Sequence, residues 1–95
     1  MVTFTVRMKF AAEDHEKLEQ VLVALTAESR KEPGCATYIA HFVDGTPDTV
    51  VIYEQYRDQA AVEAHRQTAH FQQYAIGGLY QMMKEREVEN LVAVS

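Results

Sequence analysis

The sequence predicts an α+β fold of the ferredoxin-like type, βαββαβ, with a four-stranded antiparallel sheet and its helices on one face. Three observations predict it. Residues 2–10 alternate apolar and polar side chains, the period of a half-buried strand. From about Asp14 to about Lys31 apolar residues recur at three- and four-residue spacing, the period of an amphipathic helix. Two runs rich in β-branched and aromatic residues, 36–43 and 49–56, flank the turn-forming Asp44-Gly45-Thr46-Pro47-Asp48 and so form a hairpin.

In the first strand Val2, Phe4, Val6, Met8 and Phe10 share one face, with Thr3, Thr5, Arg7 and Lys9 on the other. Glu13 and Asp14 sit where the positive end of a helix dipole favours acids. Leu18, Val21, Leu22, Leu25 and Ser29 make the apolar stripe of that helix, and Pro33-Gly34 stops it. In the third strand Val50, Ile52, Glu54 and Tyr56 fall on one face, with Val51, Tyr53 and Gln55 opposite. Glu54 is the polar residue in apolar company. Asp58 is placed to cap a short helix from Gln59 to about Arg66. Thr68 can cap a second one, on which Phe71, Ala75, Gly78 and Met82 form a stripe flanked by Tyr74, Leu79 and Met83. Glycine inside a helix costs ~1 kcal/mol relative to alanine, so Gly77-Gly78 points to a kink or a close backbone approach. Glu87 to Val94 alternates again and reads as the closing strand. The 95 residues contain no internal repeat or linker, and one domain spanning 1–95 is expected.

A net charge of −5 with scattered Lys and Arg argues against nucleic acid or an acidic membrane surface as partner. No apolar stretch approaches the ~20 residues of a membrane span, and the alternating Met-Val-Thr-Phe-Thr-Val start lacks the apolar core of a signal peptide. One cysteine excludes an internal disulfide framework and a Cys-pair zinc site. A cytoplasmic protein is expected. A domain this small buries only ~60–65% of its unfolded surface, and the bare sheet face would carry Val51 and Tyr53; both favour a homodimer packed sheet against sheet.

The chemistry-bearing residues concentrate between Tyr53 and Tyr74, where a strand end passes into helices. His65 follows Ala61 and Val62 by four and three residues and shares their inward side. His70 stands at the start of the last helix, where the dipole disfavours imidazolium. A carboxylate at Glu54 is either paired with Arg57 or Arg66, or is a general base with a raised pKa. His65, His70 and Glu54 are therefore the candidate catalytic residues. Tyr56, Phe71 and Tyr74 are the candidate substrate-binding residues, each with a plain core role as the alternative. His41 is a weaker candidate, His15 reads as solvated, and Cys35 as a small apolar residue. Five residues apart on a helix, His65 and His70 would point roughly 140° apart at ~100° per residue, so no metal site is expected.

Glu32-Pro33-Gly34-Cys35, then Tyr53-Glu54-Gln55-Tyr56, then Ala64-His65 and Thr68-Ala69-His70-Phe71 resemble the antibiotic biosynthesis monooxygenase (ABM) family over nearly the whole chain. The resemblance implies a dimeric α+β barrel with a small-molecule pocket between sheet and helices in each subunit. Members include cofactor-independent monooxygenases of quinols and aromatic polyketides, haem-degrading oxygenases and an isomerase of a phosphorylated sugar. The haem-degrading branch uses an asparagine on the first strand and a tryptophan near the end of the third; this chain has no Trp and its one Asn is Asn90. A quinol or polycyclic phenol monooxygenase needing no cofactor is the leading expectation. An isomerase of a small phosphorylated hydroxyketone, or a non-catalytic ligand-binding dimer, stays open.

Overall fold

A computed structural model describes residues 1–95. Strand β1 (Val2–Lys9) leads through a 3-10 turn (Ala12–Asp14) into α1 (His15–Ser29). Strands β2 (Cys35–Val43) and β3 (Thr46–Tyr56) form the hairpin. Helix α2 (Gln59–Arg66), a π-helix (Phe71–Leu79) continued by one turn of α3 (Tyr80–Met82), and β4 (Glu85–Leu91) complete the chain. The sheet order is β2-β3-β1-β4, with every neighbour antiparallel. This is the ferredoxin-like α+β arrangement that the periodicity predicts.

The alternation in β1 and β3 decides which face is buried. Phe4 pairs with Glu54, Val6 with Ile52 and Met8 with Val50, so the even-numbered residues of both strands point the same way. Leu18, Leu22 and Leu25 of α1, Val62 of α2, and Ala75 and Leu79 of the π-helix close over them. Truncating such a side chain, Leu25→Ala for example, costs about 2–5 kcal/mol through lost transfer energy and the cavity left behind.

Three elements depart from the sequence reading. The hairpin turn is tighter, Asp44-Gly45 with Gly45 at φ 78°, because Val43 pairs with Thr46 after a register shift. The segment from Phe71 winds as a π-helix. Each of its turns closes five residues on rather than four, so a spacing of four keeps Phe71, Ala75 and Leu79 in register with the core. Gly78 makes the expected close approach: a Cβ there would stand 3.1 Å from Val21 Cγ1 of α1. The closing strand starts two residues before Glu87 and ends at Leu91. All of β4 and the residues after it are exposed, Val92 at 91% and Val94 at 104%.

Candidate active site

Local structure brings three segments to one point. Asp58 caps α2, its Oδ1 accepting from Ala61 N at 2.9 Å, which orients Ala61, Val62 and His65 inward. The turn after α1 lies directly on this helix. A Cβ at Gly34 would stand 2.4 Å from Ala61 Cβ, so only glycine permits the approach. Arg57 N donates to Gly34 O at 2.8 Å and fixes it. Glu32, two residues earlier, is thereby set beside His65. Thr68 Oγ1 donates to His65 O at 2.7 Å and accepts from Phe71 N at 3.1 Å, which turns the chain so that His70 comes back toward Glu32.

Glu32 Oε2 accepts from both imidazoles, His65 Nδ1 at 2.7 Å and His70 Nε2 at 2.6 Å. With Nδ1 of His65 carrying the proton for that bond, Nε2 is left as the lone pair, and it lies 3.8 Å from Glu54 Oε1. Tyr56 donates its hydroxyl to the same Glu54 oxygen at 2.7 Å. Glu54 is 5% exposed and His65 3%. Burial pushes the Glu54 carboxyl up to about 7, against the lowering effect of the Tyr56 hydrogen bond and of the Arg66 and Arg86 charges. Burial lowers the His65 pKa, with the Glu32 hydrogen bond opposing it. Both tyrosine hydroxyls beside Glu54, Tyr38 and Tyr56, are pushed up by burial and then by the Glu54 charge.

Glu32, His65 and His70 each offer a metal-ligating atom, all within 4.8 Å of one another. Two ligands about 2.1 Å from a tetrahedral zinc stand roughly 3.3 Å apart. The N···O separations of 2.6 and 2.7 Å are instead hydrogen-bond lengths, so the trio as built is a carboxylate holding two imidazoles.

Glu54 and His65 open on a cavity of about 40 Å³, walled by Phe4, Tyr38, Phe71 and Tyr80 and flanked by Arg66 and Arg86. The Phe71 ring meets His65 edge-on at 5.1 Å and Tyr80 at 6.2 Å. Water takes about 30 Å³ of liquid volume and a benzene-binding cavity about 150 Å³, so this space is too small for an aromatic ring. A larger, open groove of about 420 Å³ runs between α1 and β2, lined by Leu22, Val23, Ala27 and Phe42 with Arg30 and His41. It brings together no comparable buried acid–base pair.

The family model described as antibiotic biosynthesis monooxygenase matches residues 1–75. The chain belongs to the ABM family. YcnE of Bacillus subtilis (strain 168), whose name provisionally marks it as a monooxygenase, is 32% identical over 78 residues, 82% of each chain. The crystal structure of PA3566 from Pseudomonas aeruginosa superposes with a TM-score of 0.89 at 31% identity, covering 99% of this chain and 94% of that one. Rv0793 from Mycobacterium tuberculosis shares the fold with a TM-score of 0.86 at 24% identity, over 99% and 95% of the two chains.

Within this ABM chain the structure brings together His65, His70 and Glu54, with Phe71 on the cavity wall. Tyr56 stands behind Glu54 as its hydrogen-bond donor and does not line the cavity. Tyr74 does not line it either, because the wider π turn carries Leu79 and Tyr80 into the wall in its place. His41 is on the bare sheet face with Nδ1 3.0 Å from Val51 O. His15 is held 2.9 Å from Pro47 O and packs on Phe42. Sequence reasoning missed Glu32, Tyr38, Tyr80 and Arg86 as site residues. Glu32 lies within the Glu-Pro-Gly-Cys motif, the one local signal available. Arg86 fell outside the predicted bounds of the last strand.

Proposed function

We propose that this ABM-family protein is a monooxygenase that oxidises a quinol or polycyclic phenol with dioxygen, the substrate itself supplying the electrons and no cofactor taking part. One observation carries the reading. His65 Nε2, left free by the Glu32 bond at Nδ1, faces a buried carboxyl with a pKa near 7 on the wall of an aromatic cavity. Neutral His65 takes the phenolic proton through Nε2, and Glu32 steadies the imidazolium that forms, as a carboxylate behind a catalytic histidine does. Glu54 in its protonated form donates to a substrate oxygen and supports the anion. The electron-rich anion passes an electron to dioxygen. After recombination, hydroquinone and dioxygen yield hydroxyquinone and water, with atoms and electrons balanced. Phe4, Phe71 and Tyr80 keep the site dry.

Entry of a ring requires the cavity to widen, and the Phe71–Tyr80 wall is the part that moves in this reading. The protein works as a homodimer joined through the bare sheet face, where Ile39 and Leu91 are exposed beside Val51 and Tyr53. Sedimentation should give twice the mass of the 10.8 kDa chain.

The test is oxygen uptake by the purified protein with 1,4-naphthohydroquinone, together with detection of the hydroxylated quinone. Uptake should fall by roughly 10²-fold or more in His65→Ala. His65→Gln, checked by circular dichroism, separates lost chemistry from lost fold. The cavity of about 40 Å³ favours a second reading, a non-catalytic dimeric binding module. Absence of uptake by the folded wild-type protein across electron-rich quinols would select that second reading.

A further inference from the structure

Two arginines converge on the cavity from separate elements, Arg66 at the end of α2 and Arg86 on β4. Neither has a carboxylate within ion-pair distance, which is equally so for Arg7, Lys17, Arg30 and Lys84; what sets Arg66 and Arg86 apart is that both line the cavity holding Glu54 and His65. Two guanidinium groups lining one cavity, in a chain with 14 acids and nine basic residues, concentrate positive charge where a ligand would enter. Their fields reach inward, since both act on the Glu54 carboxyl. Arg86 is tied to the aromatic wall: its guanidinium sits over the Tyr80 ring, 5.5 Å from the centroid, and Tyr80 packs on Phe71. β4 pairs Arg86 with Met8, which turns the side chain to the helix-covered side of the sheet.

We infer that the substrate of this site, on the reading above, is a hydroxylated aromatic carrying an oxyanion, a carboxylate or a phosphate, on the ring edge remote from the reacting hydroxyl, and that Arg66 and Arg86 hold that oxyanion. The guanidinium fork matches two oxygens of either group at once, which a neutral quinol cannot offer. The aromatic wall receives the ring, and the hydroxyl is carried inward toward Glu54 and His65. Both arginines are exposed at rest, so the ligand's charge, and not a buried ion pair, sets the orientation.

The experiment compares 2,5-dihydroxybenzoate with its methyl ester, which differ by one negative charge. Binding is followed by tyrosine fluorescence or calorimetry, and oxygen uptake is recorded in parallel. The acid should bind about tenfold more tightly than the ester. The preference should shrink with added salt and vanish in the folded Arg66→Gln/Arg86→Gln double variant. A second pair, 4-hydroxybenzoate and 4-hydroxyphenyl phosphate, tells which oxyanion is preferred, and preference for either is in keeping with the inference. Equal affinity for acid and ester, a preference that survives in the double variant, or no binding of any of the four compounds overturns it. Arginine-dependent binding of the acid without oxygen uptake would sink the monooxygenase reading alone. Uptake that is indifferent to the charge and to both arginines would sink the oxyanion clamp alone.

Discussion

The two faces of β3 are one residue apart and chemically unlike. On the helix-covered face Glu54 is 5% exposed, accepts from Tyr56 and has its carboxyl pushed up to about 7. On the bare face Gln55 lies between Thr37 and Thr3 in an open ladder of 3.3 Å hydrogen bonds. On the next two strands of that same face, Lys9 of β1 and Glu85 of β4 form an exposed pair at 3.7 Å. Both faces follow the same period of two. Only one is roofed by helices, and desolvation under that roof turns an ordinary carboxylate into a group poised to exchange a proton near neutrality. A carboxylate's use is set by what covers it.

The largest expected effect is at the residue that holds both imidazoles. Glu32→Gln keeps the shape but removes the charge that fixes the His65 tautomer and stabilises its protonated form. Turnover of any quinol the wild-type oxidises should drop by about 10²-fold or more with the fold retained. An unchanged rate would mean that the Glu32–His65 pair is structural.

Next comes pH. The folded-state pKa of Glu54 lies above its usual 4.5, so between pH 4.5 and about 7 the folded protein holds a proton that the unfolded chain has lost. Its contribution is therefore greatest at low pH and declines as pH rises to about 7, by about 3 kcal/mol in all. His65 acts in the opposite sense: its lowered pKa makes stability fall as pH drops below 6.5. Denaturant unfolding at several pH values should show Glu54→Gln abolishing the first trend and leaving the second.

A smaller effect is expected for Tyr56→Phe, which deletes the donor to Glu54. The carboxyl should titrate above about 7, visible by infrared or NMR, at a cost of about 1 kcal/mol in stability. Smallest of all is Lys9→Ala on the bare face, where an exposed ion pair contributes about 0–1 kcal/mol and is screened by salt. A Lys9→Ala loss as large as that of Tyr56→Phe would erase the contrast between the faces.

Much of this was legible residue by residue. The alternation in β1 placed Phe4, Val6 and Met8 inside, and that in β3 put the polar Glu54 on the apolar face of the strand, where it is buried. The Asp58 and Thr68 caps set the starts of two helical segments. The π-helix was not legible, because its spacing of four at Phe71, Ala75 and Leu79 also fits an α-helical stripe. That ambiguity put Tyr74 in the cavity wall where Leu79 and Tyr80 stand. The meeting of His65 and His70 was missed for a related reason: an angle reckoned along one helix fails when Thr68 breaks the chain between them.

The sequence alone determined the order of elements, the buried face of each strand and which residues carry protons, because side-chain periodicity and capping act over a few neighbours. Tertiary structure alone decided that Glu32, 33 residues before His65, would bind it, that Arg86 would join Arg66 at the opening, and that the enclosed space would be about 40 Å³. Those outcomes depend on how closely two backbones approach, as Gly34 and Ala61 do, and on which surfaces lose their water. No local pattern in the chain encodes either.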